Sequence, residues 1–183
     1  MNRRWVLAAL ALTPAAIVLP AAASTYLSPE EAQKALFPQA ASFEDASFTP
    51  DDAQNQAVAQ ALGAAQRARP ARAWLAKDAS GKLLGEVMLD EVIGKYELIT
   101  YAVGFAPGGE VLGVEVLAYR ESHGQEIRFP AWRKQFVGKK GADQLKFGDA
   151  IKNISGATLS CRHVTEGVQR LSVLQKLAFG GRG

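Results

Sequence analysis

The sequence of 183 residues contains one cysteine, Cys161, and only two histidines. A single cysteine excludes an intramolecular disulfide, and the lack of a Cys-x-x-Cys-His sequence excludes a covalently attached haem. His123, Cys161 and His163 do not complete a known spacing of metal ligands, so no metal site is expected. The sequence also lacks an internal repeat, which excludes solenoids and propellers.

A long apolar run occurs only near the N-terminus. Residues 6–20 are mostly apolar, residues 1–5 before them include two arginines, and three alanines follow at residues 21–23. This order is typical of a secretory signal peptide with its cleavage site. An uncleaved membrane anchor is the alternative, but two prolines interrupt a run that is shorter than the roughly 20 residues of a spanning helix. We expect residues 1–23 to be a signal peptide.

The same segment accounts for most of the net positive charge. The chain has 21 basic and 18 acidic residues, and without Arg3 and Arg4 it would keep 19 basic residues against 18 acidic ones. A nearly neutral mature chain gives no reason to expect nucleic acid or anionic membranes as partners. The two arginines leave both the general and the twin-arginine export routes open. We expect a periplasmic protein, either free or at the outer face of the inner membrane.

Helical and strand patterns both occur in the remaining sequence. Capping signals at Ser28 and at residues 49–52 predict helices to about Phe37 and about Gln66, joined by a polar link. An apolar stripe predicts a terminal helix over residues 162–177, and a short amphipathic helix is predicted over residues 130–136. Strands are predicted at residues 73–76, 83–89, 96–105 and 111–119.

These elements predict an α+β fold in which helices flank a central antiparallel sheet of four or five strands. We divide the chain into a signal peptide at residues 1–23, an N-terminal helical segment at residues 24–70 and one domain at residues 71–183.

The sequence Ile154-Ser155-Gly156-Ala157-Thr158-Leu159-Ser160 precedes the predicted terminal helix. It combines three hydroxyl side chains with two small residues. At a helix N-terminus, free N–H groups and the positive end of the helix dipole favour the binding of an anion. A serine N-cap after a turn of small residues is an equally common use of such a sequence. The residues by themselves leave both interpretations open.

Ser155-Gly156-Ala157-Thr158 resembles the flavinylation motif of the FMN-binding domain family. That family includes the G subunit of the Rnf electron-transport complex and the C subunit of the sodium-translocating NADH:quinone reductase. The loop Glu121-Ser122-His123-Gly124 and the predicted helix with Trp132 and Phe136 follow the family's order of parts, and the resemblance spans roughly residues 75–178. It implies that a flavin transferase esterifies FMN to Thr158, and that the cofactor site includes Ser155, Gly156, Ala157, Leu159, Ser160, Glu121, Ser122, His123 and Gly124.

One position departs from the family's motif. Where relatives have an aspartate three residues before the serine, this sequence has Lys152. The loss of the aspartate would weaken recognition by the transferase. Alternatively, the Lys152 ammonium group would pair with the FMN phosphate. We therefore include Lys152 in the predicted cofactor site.

The flavin ring also needs an apolar wall. Tyr119, Trp132, Phe136 and Leu159 are the candidates, with plain core packing as the alternative for the aromatic residues.

The resemblance implies an exported FMN flavoprotein that transfers electrons to or from a membrane or periplasmic redox protein. A non-redox periplasmic binding or assembly module with the same fold is the alternative. A third hypothesis is an enzyme that reduces its own substrate, but no pattern of acid, base or nucleophile supports it. We therefore assign no catalytic residues.

Overall fold

The structure, a computed structural model, describes residues 24–64, 66 and 68–181, so the predicted signal peptide lies outside the described residues. Six antiparallel strands form one sheet in the order β1-β6-β5-β4-β3-β2. The strands are β1 (Ser24–Thr25), β2 (Ser42–Asp45), β3 (Arg72–Lys77), β4 (Leu83–Ile93), β5 (Leu98–Phe105) and β6 (Val111–Tyr119). The helices are α1 (Pro29–Leu36), α2 (Asp52–Leu62), α3 (Pro130–Arg133) and α4 (Thr158–Phe179).

Three short 3₁₀ turns lie at Gln125–Arg128, Lys134–Phe136 and Ala142–Leu145. The predicted α+β class is confirmed, with five strands of four or more residues and the two-residue β1 at one edge. No helix within the described ranges is long and apolar enough to cross a membrane.

Different helices cover the two faces of the sheet. On β5, Tyr101 and Val103 point towards the core that contains α4, whereas Ala102 belongs to a smaller core on the opposite face. Alternate residues of a strand face opposite sides, so both sets are apolar when both faces are covered. We call the α4 side the inner face and the other side the outer face. α1 and Phe37 lie on the outer face, where Phe37 contacts the backbone at Gly85.

The N-terminal segment differs from the prediction in three places, of which the first is the unpredicted short strand β1. The expected polar link contains β2, which pairs along its whole length with β3. This edge strand has a single apolar side chain, Phe43, so the strand pattern was too weak to find in the sequence. Helix α2 ends at Leu62, before the predicted Gln66, because Gly63 leaves the helix with φ +96°. Its N-cap is Asp51, which exchanges hydrogen bonds of 2.8 and 3.0 Å with Gln54.

Helix α4 begins four residues earlier than predicted. The preceding turn contains Gly156 at φ +84°, a conformation that favours glycine, and Ala157 is the N-cap. The alternative of a serine N-cap is therefore wrong, and Thr158 occupies the first helical position.

Three segments meet at one end of the sheet. The register pairs Ile93 with Leu98, so residues 94–97 close the β4–β5 hairpin there. It also pairs Ile99 with Tyr119, so the loop after β6 leaves from the same end. The first turns of α4 reach this end through His163, whose Nδ1 lies 2.6 Å from the carbonyl oxygen of Ile93.

Candidate functional site

A cleft of about 340 Å³ opens where these three segments meet. The hairpin turn 94–97 contributes Lys95 and Tyr96, and the loop after β6 contributes three further residues. The start of α4 and the turn before it contribute the rest. The lining consists of Lys95, Tyr96, Glu121, Ser122, His123, Gly156, Ala157, Thr158, Leu159 and Ser160. Eight of the eleven residues predicted for the cofactor site therefore lie together around one space.

The hydroxyl of Thr158 is exposed in this cleft and held in place. Its Oγ1 accepts a hydrogen bond of 2.9 Å from the side-chain amide of Asn153. That bond uses one lone pair of the oxygen and leaves the hydroxyl proton and the second lone pair directed elsewhere. An exposed, oriented hydroxyl of this kind can act as a nucleophile towards phosphorus.

The N-terminus of α4 also offers hydrogen-bond donors to the cleft. The N-cap, Ala157, has no side-chain hydrogen bond to the helix. Intrahelical bonding starts with the N–H of Cys161, which donates to the Ala157 carbonyl at 2.9 Å. The N–H groups of Thr158, Leu159 and Ser160 therefore lack intrahelical acceptors, and the helix dipole adds positive potential at this point. The arrangement suits a phosphate attached next to Thr158.

Glu121 holds the hairpin turn in position. Its Oε1 accepts hydrogen bonds from the backbone N–H groups of Lys95, Tyr96 and Glu97, at 2.6 Å for Tyr96 and 3.0 Å for Glu97. Partial burial raises the pKa of this carboxyl group, but the three N–H groups and the charge of Lys95 lower it by more, so its pKa lies below the usual value. The carboxylate orients the turn that carries Lys95 and Tyr96 and does not project freely into the cleft.

His163 supports the same turn from α4. Its Nδ1 lies 2.6 Å from the carbonyl oxygen of Ile93 and 3.0 Å from that of Gly94. A carbonyl oxygen only accepts hydrogen bonds, so Nδ1 carries the proton that is donated. His163 therefore has a structural role in holding this turn.

A close contact joins the loop after β6 to the turn before α4. Gly124 has φ +87°, and a Cβ built there would lie 2.6 Å from the Tyr119 hydroxyl and 2.8 Å from the Ala157 Cβ. The Tyr119 hydroxyl donates to the His123 carbonyl and lies 3.1 Å from the Ser160 hydroxyl. Burial is the main cause that raises the pKa of Tyr119. Only glycine at residue 124 and a small residue at 157 permit this approach.

Three predicted site residues lie outside the lining. Gly124 packs against Tyr119 and Ala157, and Ser155 is exposed in the turn before α4. Lys152 is also exposed, and it contacts its neighbours through its backbone: its N–H donates to Gln135 Oε1 at 2.7 Å, and its carbonyl accepts from Trp132 Nε1 at 2.9 Å. A role for the Lys152 ammonium group at the phosphate remains a prediction.

Most of the aromatic candidates for the flavin wall belong to the core. Trp132 and Phe136 are buried and form an edge-to-face pair with centroids 5.1 Å apart, and Tyr119 is also buried. Leu159 is 38% exposed and lines the cleft. The core-packing alternative therefore holds for the three aromatic residues.

Sequence reasoning missed Lys95 and Tyr96. Tyr96 is 74% exposed, and Lys95 Nζ lies 4.8 Å from the centre of its ring. The sequence did contain a signal, since a basic residue and an aromatic residue follow a glycine at the end of a long strand pattern. The strand pattern of residues 96–105 includes Tyr96, so the sequence predicted no turn at this position.

Neither cysteine chemistry nor a metal site is evident in this region. Cys161 is buried, and burial raises the pKa of its thiol. Across the part of the chain that the structure describes, no group of three or more His, Cys, Asp and Glu side chains is arranged to hold a metal ion.

Residues 94–172, from the hairpin turn to the middle of α4, match the family model of the FMN-binding domain. The resemblance to this family is confirmed. The match begins at the turn that carries Lys95 and Tyr96 and includes Thr158. An FMN-binding domain indicates FMN as the cofactor.

A solved structure has a similar fold. The crystal structure of NqrC from Shewanella oneidensis matches with a TM-score of 0.51 and 24% sequence identity, over 80% of this chain and 72% of that chain. The central antiparallel sheet with flanking helices is thus the fold of both proteins. Of the curated proteins compared, none matches the sequence significantly.

Proposed function

We propose that this chain is an exported electron-transfer flavoprotein whose FMN is esterified to Thr158. The observation that carries the proposal is the exposed Thr158 hydroxyl at the first position of α4, held by Asn153 beside three free N–H groups, inside the FMN-binding domain match. The bound flavin supplies one- and two-electron chemistry, and the protein supplies attachment and surroundings.

Attachment requires an activated phosphate. Threonine Oγ1 forms a bond to the phosphorus of the FMN moiety, and the bond from that phosphorus to its leaving group breaks. A flavin dinucleotide meets this requirement, because its phosphoanhydride can break with adenylate as the leaving group. The hydroxyl proton passes to a base of the flavin transferase or to solvent. The N–H groups of α4 stabilise the negative charge on the phosphate oxygens.

The cleft has complementary groups for the rest of the cofactor. Tyr96 and Leu159 offer exposed apolar surface for one face of the ring system, and Lys95 offers a positive charge. A cation near a flavin favours its reduced, anionic form and therefore raises the reduction potential. The openness of this end of the sheet leaves the ring accessible to a partner.

The proposed partners follow from the resemblance and the sequence. The similarity to NqrC and the resemblance to complex subunits support a membrane or periplasmic redox protein as the electron donor or acceptor. Residues 1–23 support export to the periplasm. Since attachment needs a catalyst, a flavin transferase is a transient partner.

Mass spectrometry of the denatured chain tests the attachment. The full chain, incubated with a flavin transferase and flavin dinucleotide, is expected to gain the mass of one FMN less one water. Thr158→Ala should remove the adduct, whereas Thr49→Ala, which removes an exposed threonine hydroxyl outside the motif and outside the cleft lining, should keep it. A wild-type chain with no adduct, or an adduct that persists in Thr158→Ala, would refute attachment at this residue.

Absorbance distinguishes the redox carrier from a non-redox binding module. Dithionite should bleach the flavin of the loaded chain, and oxygen or an added acceptor should restore it. The same cycle should occur with a quinone-linked membrane fraction as the electron donor. A loaded chain whose flavin does not respond to dithionite would favour the binding module.

A further inference from the structure

A second cleft, of about 520 Å³, lies on the outer face of the sheet. α1 and Phe37 cover the other half of this face, so the cleft occupies the uncovered half. Leu27, Leu89 and Leu117 contribute apolar surface to it. None of its lining residues lines the cleft around Thr158.

Three arginines, Arg69, Arg72 and Arg120, line this second cleft. Within the described residues, no carboxylate oxygen lies within 4.0 Å of any of their guanidinium nitrogens. The positive charge of this cluster is therefore not neutralised by direct ion pairs.

Neutral groups orient the three guanidinium groups. Arg69 Nη1 donates to the Glu91 carbonyl at 2.8 Å. Arg120 Nη1 donates to the Leu98 carbonyl at 3.1 Å and to Thr100 Oγ1 at 3.2 Å. Arg72 lies over the ring of Trp74, 5.1 Å from its centre. A guanidinium group has five N–H donors, and these contacts use only some of them. The remaining N–H groups are available to a ligand.

The two carboxylates in the lining are engaged by other groups. Asp90 forms an ion pair with the buried Arg170 and accepts a hydrogen bond of 2.8 Å from Tyr101. Glu91 accepts a hydrogen bond of 2.7 Å from Thr100. With Asp90 paired to Arg170, the lining has three guanidinium groups against the single carboxylate of Glu91, next to an apolar floor.

We propose that this outer cleft binds an organic anion with an apolar body and a carboxylate or phosphate head group. Guanidinium groups bind both head groups through paired N–H donors. The volume lies within the range of small-molecule sites, and such sites combine apolar walls with a few placed polar groups. The site is independent of the flavin chemistry proposed for Thr158.

Isothermal titration calorimetry of the purified full chain tests this proposal with four probes. Decanoate and decyl phosphate carry both head group and apolar body, decanol lacks the charge, and inorganic phosphate lacks the apolar body. We expect one of the two anionic probes or both to bind at least ten-fold more tightly than decanol and inorganic phosphate. Their relative affinity identifies the preferred head group.

Substitution of the arginines locates the binding. Arg72→Gln combined with Arg120→Gln should weaken binding of the anionic probe at least ten-fold. Arg162→Gln is the matched control, because Arg162 is exposed and lies 5.5 Å from an aromatic ring, that of Phe147, but is outside the cleft. Its affinity should equal that of the wild type.

Several results would overturn the proposal. Equal binding of decanol would reduce the site to an apolar groove, and equal binding of inorganic phosphate would make the apolar floor irrelevant. Unchanged affinity in the folded double variant would place the site elsewhere. If the double variant does not fold, the single variants Arg72→Gln and Arg120→Gln locate the binding instead, and unchanged affinity in both would place the site elsewhere.

Discussion

At the scale of single residues, the pair of Thr158 and Asn153 decides where the attachment hydroxyl points. A threonine in a helix divides between two χ1 rotamers, and the amide of Asn153 favours one of them through the 2.9 Å hydrogen bond. The tetrapeptide identifies the threonine, whereas Asn153 lies outside the tetrapeptide and was not among the predicted site residues. Only the turn at Gly156 brings the two side chains together.

We predict that Asn153→Ala slows flavin attachment without unfolding the chain. A positioning hydrogen bond is worth about 1 kcal/mol, which corresponds to a roughly five- to ten-fold lower initial rate. Quantitative mass spectrometry of the adduct against time measures this rate. Asn55→Ala is the control, since Asn55 bonds only to the backbone near the start of α2. Equal initial rates for wild type and Asn153→Ala would rule out a positioning role, even where Thr158 is confirmed as the attachment site.

At the scale of elements, the hairpin turn 94–97 depends on two side chains from distant parts of the chain. Glu121 binds its N–H groups, and His163 binds carbonyl groups at its start. A turn held in this way presents Lys95 and Tyr96 in one orientation at low entropic cost on ligand binding. The sequence predicted that Glu121 belongs to the site, but its role as a support for the turn follows only from the geometry.

We predict that Glu121→Gln destabilises the protein by about 1 kcal/mol at neutral pH, because charge-assisted hydrogen bonds to three N–H groups become weaker. The pKa of Glu121 is lower in the folded state, so its contribution is present above the unfolded pKa of about 4.3. That contribution is lost as the pH falls through the folded pKa. The difference from wild type should therefore shrink in acid.

Urea unfolding of both proteins at pH 7 and in acid below the folded pKa measures this difference. Glu126→Gln is the matched control, since Glu126 is an exposed glutamate near the same loop and outside the cleft lining. A gap between wild type and Glu121→Gln that stays constant with pH would contradict the assigned role of the charge.

At the scale of the whole molecule, one buried polar network fastens α4 to the sheet. Arg170 is 3% exposed and pairs with Asp90 of β4, which also accepts a hydrogen bond from Tyr101 of β5. A second nitrogen of Arg170 donates to Gln66 at 3.1 Å, in the segment after α2. Burial is the largest effect on the Arg170 pKa and lowers it, but Asp90 and other nearby groups raise it by more, so the guanidinium stays charged.

We predict that Arg170→Met destabilises the chain by about 3–5 kcal/mol, because it leaves the Asp90 carboxylate without its counter-charge in a largely buried position. Replacing both partners, by Arg170→Met with Asp90→Leu, should recover at least half of the loss, since an apolar pair avoids the desolvation cost. Chemical denaturation measures both free energies of unfolding. A double variant as unstable as the single one would show that the network contributes through packing rather than charge.

The sequence by itself determined the class of fold, most strand positions, the hydroxyl motif with Thr158 and FMN as the implied cofactor. These features are local: strand alternation, helix caps and a short motif are all encoded in neighbouring residues. The strand β2 and the start of α4 were missed because pairing at a sheet edge and a glycine turn override weak local patterns. Tertiary structure alone decided that Lys95, Tyr96, Glu121 and Thr158 surround one cleft. Strand register and helix packing set distances between residues far apart in the chain, and no local pattern contains that information.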